Sequence, residues 1–193
     1  LRRIQGEVVT IDNKVYIVKC LDYGQAEGKL GELLSMMGGM KQFAGPGEKI
    51  ALKVNLLRRA KPEEAVTTHP AIVTAVAGMA KQEGALPIII DSPGSGYQYD
   101  RKTLGSVYDV CGMLKVAEDA GIEANFDVTY KTVSYPEGKL IKRFEVVTPV
   151  LDAAGVFNLC KLKTHTFMAL TGAVKDTFGV IPGRHKPGYH AKL

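Results

Sequence analysis

The chain has 193 residues, of which 46% are hydrophobic and 23% are charged, as is typical of a globular protein with one sizeable core or two small ones. No apolar run is long enough to span a membrane and no signal segment opens the chain, so we expect no membrane partner and a cytoplasmic location. Three widely spaced cysteines (Cys20, Cys111 and Cys160) fit a reducing compartment and are too few for a four-thiolate iron–sulfur cluster.

The net charge of +5 is concentrated near the end of the chain. From Val156 onward the chain contains six basic residues and a single acidic one, Asp176, so the first 155 residues carry no net charge. A basic segment on a neutral body predicts a site for a small anion. Proline and glycine interrupt the basic residues and no aromatic stacking pattern accompanies them, so nucleic acid is not an expected partner.

Helices and strands alternate through the first two thirds of the chain. Apolar residues at helical spacing predict helices over 25–37, 70–83 and 107–120, each followed by glycine. Residues 49–55 and the apolar run 86–91 predict strands, the second of them buried on both faces.

The later part of the chain adds shorter elements. Residues 122–128 predict a strand, and residues 131–147 predict a hairpin that turns at Pro136-Glu137-Gly138. Thr148 is expected to cap a short helix that ends at Ala154, and residues 155–163 form the last predicted strand.

This alternation predicts an α/β fold with a mainly parallel sheet, helices on both faces and β-hairpin insertions. Residues 1–13 are interpreted as an N-terminal extension or as the first part of a hairpin over 7–20, and residues 14–193 as one α/β domain. The chain stops directly after its most unusual segment. We therefore expect it to be the N-terminal part of a longer protein, with a mobile tail after about Pro182.

Polar residues follow several of the predicted strands, where ligands bind in open α/β sheets. Lys53 is a candidate for anion binding, or a solvated lysine at a strand edge. Residues 67–70 are a candidate site or a plain helix cap with Pro70 in the first turn. The sequence DSPGSGY (91–97) is a candidate site or a flexible turn, and Asp91 could accept a ligand hydrogen bond or help to hold a metal ion.

The most basic stretch, residues 160–190, is the main candidate. Lys161 and Lys163 alternate with an apolar residue, so both are expected on one side of the last strand. Thr171 is expected to cap a helix at which the Gly172 amide and the helix dipole favour an anion, with Lys175 adding a full charge.

Residues 179–190 contain too much glycine and proline for a predicted helix or strand, and they are interpreted as a loop over the site. Its histidines are surface residues or ligand-contacting groups, since imidazole titrates near neutrality and binds metals. The predicted catalytic residues are His165, Lys175 and His185. The predicted anion-binding residues are Lys53, Lys161, Lys163, Thr171, Gly172 and Lys186.

The stretch NLCKLKTHTFMALTGAVKDTFGVIPG followed by KPGYH resembles the DUF362 family, a domain family of unknown function. The resemblance extends upstream through KVNLL, AVTTHPAIVTAVAGMAKQEGA and DSPG. Many members carry a ferredoxin-like module with two four-cysteine motifs, so the resemblance implies a redox setting with a 4Fe-4S cluster. This chain lacks those motifs, so such a cluster or redox partner is expected outside it.

TGAVKDTFGVIPG is also similar in outline to a stretch of the nickel-pincer lactate racemase family, in which a lysine tethers the cofactor. Lys175 lies in the comparable place. The main hypothesis is a domain that binds a small anionic metabolite or cofactor and that could be catalytic. The alternatives are a non-catalytic anion-binding or electron-transfer docking module, and a racemase-like enzyme.

Overall fold

A computed structural model describes residues 14–94 and 96–191. Within them the strands are β1 (Lys49–Val54), β2 (Leu86–Ile90), β3 (Glu123–Ala124), β4 (Tyr130–Ser134), β5 (Arg143–Val147), β6 (Gly155–Leu159), β7 (Lys163–His165) and β8 (Ala169–Thr171). The α-helices are α1 (Ala26–Met36), α2 (Pro70–Gln82), α3 (Arg101–Val110), α4 (Met113–Ala120), α5 (Thr148–Leu151), α6 (Ala173–Asp176) and α7 (Lys186–His190).

A parallel sheet forms the centre of the fold, with the strand order β3-β2-β1-β6. The pairs β4–β5 and β7–β8 are separate antiparallel hairpins. In the register of the sheet, Lys53 on β1 lies beside Ile90 on β2 and Asn158 on β6. The carboxyl ends of these three strands therefore meet at one edge. The predicted α/β fold with hairpin insertions is confirmed.

The two faces of the sheet are covered differently. Alternate residues of β1, among them Leu52 and Val54, belong to the large core that contains residues of α1, α2, α3 and α4. Ala51 lies on the opposite face in a small cluster with Ile88, Ile90 and Val147, against which Val150 of α5 packs. Lys53 is two residues from Ala51, so its side chain lies on this thinly covered face.

One predicted helix is divided into two in the structure. The helix expected over 107–120 is two helices, α3 and α4, because Gly112 between them has a φ of 75°. Asp100 begins α3 by accepting a hydrogen bond from the Thr103 amide at 2.7 Å. The strand expected over 122–128 is also wrong in length, since only Glu123 and Ala124 pair with β2.

The predicted N-terminal hairpin is wrong where it can be compared. Residues 14–20 form no strand, and its remaining residues, 7–13, lie outside the described part of the chain. The hairpin expected over 131–147 is confirmed as β4–β5. Thr148 is the first residue of α5 rather than its cap, which is Val147.

Three predictions for the later part of the chain are also wrong. The strand expected over 155–163 ends at Leu159, and Lys163 belongs to the next hairpin. The expected loop over 179–190 contains α7 and two short 3-10 turns, and the expected mobile tail is packed, since Gly183 and Lys186 are buried. A Cβ atom on Gly183 would overlap the carbonyl oxygen of Tyr97, so glycine permits this close approach.

Candidate functional site

Lys53 is the centre of a buried charge cluster at the carboxyl end of β1. Only 1% of its surface is exposed, and its Nζ lies 2.7 Å from Asp91 Oδ1 and 3.1 Å from Asp176 Oδ2. Nζ also donates to the Val54 carbonyl. Burial opposes the charged ammonium, but the two carboxylates outweigh it and raise the pKa of Lys53 above its ordinary value. Lys53 is therefore a charged, internally paired lysine.

Asp176 and Asp91 connect this cluster to the surrounding backbone. The Asn55 side-chain amide donates to Asp176 Oδ1. The Leu56 amide donates to Asp91 Oδ2 at 2.6 Å. Because buried carboxylates are tolerated only when paired and hydrogen-bonded, these contacts fix the geometry of the strand ends.

Lys163 extends the network to the β7–β8 hairpin. Its Nζ donates to Asn55 Oδ1 at 2.6 Å and to the Val66 carbonyl. Burial lowers its pKa below the ordinary lysine value. Lys163 thus anchors the hairpin to the end of β1.

Lys186 of α7 is bound in a similar way to the loop after β2. Its buried Nζ donates to the carbonyls of Ser92 and Pro93 and to Ser92 Oγ at 3.2 Å. Burial lowers the pKa of Lys186 to about 7, while its three acceptors match the three donors of an ammonium. This lysine ties α7 to the sheet edge.

A cavity of about 480 Å³ lies above this charge cluster. Its polar lining includes Asp91, Asp176, Lys175 and Lys186. Its other lining residues include aromatic and imidazole rings, which are those of His165, Phe167, Phe178 and His190. Volumes of this size are typical of small-molecule sites.

His165 has a defined hydrogen-bonding state. Its Nδ1 accepts from the Phe167 and Met168 amides, both at 3.1 Å. An accepting Nδ1 carries no proton, so the neutral ring carries its proton on Nε2. Burial, with the charges of Lys175 and Lys163, lowers the pKa of His165, which keeps the ring neutral at pH 7.

Another part of the cavity wall combines a cation with rings. Lys175 Nζ lies 5.1 Å from the ring centroid of Phe178, and burial lowers its pKa. His190 packs 4.6 Å from Phe178, centroid to centroid, and 5.6 Å from Phe167. Burial and the charge of Lys175 lower the pKa of His190, so this imidazole too is neutral at pH 7.

Three of the residues predicted as catalytic or anion-binding line the cavity: His165, Lys175 and Lys186. Lys53 and Lys163 lie beside it with their amines engaged by protein groups. The described residues that line the cavity do not include the other four, Lys161, Thr171, Gly172 and His185.

The structure places these four residues in other surroundings. Lys161 does not share a strand with Lys163, and its Nζ donates to the Tyr23 hydroxyl at 3.0 Å. His185 pairs with Glu145 Oε2 at 2.7 Å and packs against Tyr130 of β4. Their predicted roles stay predictions.

The helix-start argument for an anion site is corrected. Thr171 is the last residue of β8, not the cap, and Gly172 occupies the cap position. Because α6 has only four residues, it cannot supply the dipole that the prediction required.

No site role was predicted for Asn55 and Asp176. His190 was predicted as a surface residue or a ligand-contacting group of the loop over the site, and Asp91 and its loop as a candidate site or a plain turn. A signal existed for Asp176, the single acid in a basic segment, and for Asn55, which directly follows a strand. Phe167 and Phe178 carried no comparable signal.

Within residues 14–94 and 96–191, the side chains do not fit an iron–sulfur cluster or a single metal ion. In the part of the chain that the structure describes, no three histidine, cysteine or acidic side chains lie close enough together to hold a metal. Cys111 is buried while Cys20 is exposed. No step of the chemistry is therefore assigned to a cluster held by these residues.

The sequence model of the family described as "Domain of unknown function (DUF362)" matches residues 50–193. The match includes all of β1 except its first residue, the whole of β2 and all the residues that line the cavity. The chain belongs to this family, as the resemblance predicted.

A curated relative is the "Thylakoid-associated protein sll1697" of Synechocystis sp. (strain ATCC 27184 / PCC 6803 / Kazusa), which is 31% identical over 168 residues. The alignment covers 86% of this chain and 50% of the relative, so the chain spans about half of that protein's length. No solved structure matches the chain. Among the described residues, no helix combines the length and apolar character needed to cross a membrane.

Proposed function

We propose that the cavity binds a small organic anion, a metabolite or cofactor, and that Lys175 supplies its main charge contact. The observation that carries this proposal is the pairing of charges around the cavity. Both buried carboxylates are already matched to Lys53, whereas Lys175 contacts only the ring of Phe178 among the contacts described for its Nζ. A cation beside a concave, partly apolar surface favours an anionic ligand.

His165 supports the same ligand class. With its proton on Nε2, the neutral ring is a hydrogen-bond donor, as an anion requires. His190 is neutral and its buried Nδ1 has no hydrogen-bond partner, so it is the better candidate for accepting a proton from a ligand. Acid–base chemistry would then use His190 as base and His165 for orientation.

A non-catalytic binding module is the second candidate. Among the described residues, no serine, threonine or cysteine side chain donates a hydrogen bond to a histidine, so the nucleophile–base pair of covalent catalysis has no counterpart there. The similarity of Lys175 to the tethering lysine of nickel-pincer racemases supports a third candidate, which requires covalent attachment of a cofactor to that lysine.

A redox setting is supported by the family resemblance alone, and a cytoplasmic location by the composition. In that setting a ferredoxin-like module or redox partner would supply the cluster. The domain of residues 14–193 would bind the anion, and the cluster would exchange electrons with that anion. An absorption spectrum and metal analysis of the full-length protein, purified without oxygen, test this part. Absence of iron and of visible absorption would contradict it.

The anion site is tested by titration calorimetry at pH 6 with lactate, pyruvate, benzoate, 2-naphthoate and inorganic phosphate. We expect at least one of them to bind and Lys175→Gln to weaken that binding at least tenfold. Lys115→Gln is the matched control, because Lys115 is 77% exposed on α4, which packs on the other face of the sheet. Equal loss of affinity in both variants, or no binding by any of the anions, would contradict the proposal.

Turnover separates the candidate functions. If the protein is an enzyme, His190→Gln should abolish conversion of the bound anion, measured at saturating anion so that a change in affinity does not enter the result. Binding without conversion of any anion in the panel, followed by mass spectrometry and by proton NMR in deuterated water, would favour the binding module. An added mass on Lys175 would favour the racemase-like candidate.

A further inference from the structure

The cavity brings the ammonium of Lys175 together with several rings. Lys175 Nζ lies 5.1 Å from the Phe178 centroid, and His190 fills the space between Phe178 and Phe167. A ligand whose negative charge is attached to a ring could contact the lysine and the aromatic surface at once. A ligand with a long flexible spacer between charge and ring could not match this short separation.

Phe167 is the unusual member of this wall. It lies between the two strands of the β7–β8 hairpin, at the cavity, and 69% of its surface is exposed. Its described ring contact is an edge-on contact with His190, at an interplanar angle of 75°. An exposed phenyl ring beside a cavity offers apolar area and ring contacts to a ligand.

The charges around the cavity favour a ligand with one negative charge. At the cavity, Lys53 is paired with Asp91 and Asp176. Lys186 donates to carbonyl oxygens, whereas Lys175 has no oxygen partner among the contacts described for its Nζ. One such ammonium matches a carboxylate better than a phosphate, which carries up to two charges near pH 7.

We propose, on the basis of the anion site proposed above, that its ligand is an aromatic monocarboxylate, with the carboxylate at Lys175 and the ring against Phe167, Phe178 and His190. The His165 Nε2–H is then the neutral donor to the second carboxylate oxygen. The cavity volume of about 480 Å³ accommodates a ligand of one or two fused rings.

The test compares 2-naphthoate with its saturated analogue, decahydro-2-naphthoate, by titration calorimetry at pH 6. The two acids share their charge and carbon skeleton and differ in planarity and aromatic character. We expect 2-naphthoate to bind at least tenfold more tightly. 2-Naphthamide, which keeps the ring and lacks the charge, should bind at least tenfold more weakly than 2-naphthoate.

Two variants test whether the Phe167 ring is the source of the preference for the aromatic acid. Phe167→Leu keeps an apolar side chain at an exposed position and removes the ring, so the preference for the aromatic acid should fall at least threefold. Leu162→Ala is the matched control, because Leu162 is also highly exposed (72%) but lies outside the cavity lining. It should leave the preference unchanged.

The outcomes distinguish this inference from the proposed function. If both acids bind equally and Lys175→Gln weakens both, the aromatic inference is wrong and the anion site stands. If neither acid binds but lactate, pyruvate or phosphate does, the inference is wrong in the same way. If no anion binds the parent protein, both proposals fail.

Discussion

The charged groups in the floor of the cavity and those in its rim have different kinds of partner. In the floor, at the ends of β1 and β2, the ammonium of Lys53 and the carboxylates of Asp91 and Asp176 face one another and are shielded from water. The rim is formed by His165, Phe167, Lys175, Phe178 and His190. There Lys175 contacts a ring and Phe167 is exposed.

This difference separates a structural from a ligand-contacting role. A charge that is already paired inside the protein gains little from a ligand, because binding would have to replace an existing ion pair. A cation beside a ring at an open cavity has no such competitor. The floor should therefore determine stability, and the rim should determine affinity.

The largest effect is expected in the floor. Lys53→Met removes the cation and leaves the carboxylates of Asp91 and Asp176 buried without it, so the free energy of unfolding should fall by about 3–5 kcal/mol. Urea unfolding followed by circular dichroism measures this change. A loss below about 1 kcal/mol would mean that the cluster is not a stabilising element.

A smaller loss is expected where the rim packs against the floor. An added Cβ on Gly179 would overlap Asp91 Oδ1 and Lys53 Nζ, so Gly179→Ala should destabilise the protein by about 1–3 kcal/mol through overpacking. Gly31→Ala is the matched control, because a Cβ there meets open space within α1 and helical Ala is favoured over Gly by about 0.5–1 kcal/mol. Thermal unfolding should shift in opposite directions in the two variants.

The titration of Lys186 gives a pH-dependent effect. Its folded pKa of about 7 lies below that of the unfolded chain, so between these values only the unfolded state binds the proton. Stability should consequently rise with pH above about 7, by about 1.4 kcal/mol per pH unit from this group. The free energy of unfolding is measured by urea unfolding at pH 7.5 and 8.5. Its change with pH in the parent, minus its change in Lys186→Met, gives the contribution of Lys186. A difference of zero would show that the three acceptors keep the ammonium charged.

The smallest stability effect is expected in the rim. Lys175→Gln should change the free energy of unfolding by no more than about 0.5 kcal/mol, since the lysine has no ion-pair partner among the described residues. The same variant is expected to lose anion affinity, as proposed above. If Lys175→Gln destabilises the protein as much as Lys53→Met does, the contrast between floor and rim is wrong.

The sheet was predictable because its strands and helices carry strong local patterns. The apolar run before Asp91 and the spacing within α2 depend on neighbouring residues alone, and both elements were confirmed. Gly112, by contrast, could have ended a turn or continued a helix; it has a positive φ, and a Cβ there would lie 3.1 Å from Pro70 Cγ. Whether such a glycine ends a helix is decided by contacts between residues that are distant in sequence.

The site was predictable in its position and less so in its roles. The strand ends and the basic segment indicated where ligand-contacting residues would gather. Lys53 and Lys163 were predicted to bind an anion, whereas their amines are engaged by Asp91, Asp176 and Asn55. Which lysine is paired internally is a property of the tertiary fold, and single-sequence patterns do not contain it.

The pairing of Lys53 with Asp176 also has a consequence for folding kinetics. The two residues are 123 positions apart in the chain, so the ion pair forms only after a long loop has closed. Since ribosomes add about 5–20 residues per second, a nascent chain has β1 and β2 available for several seconds before Asp176 emerges. During that interval the Lys53 ammonium on β1 lacks the carboxylate of Asp176 as a partner. The carboxyl edge of the sheet is therefore completed last.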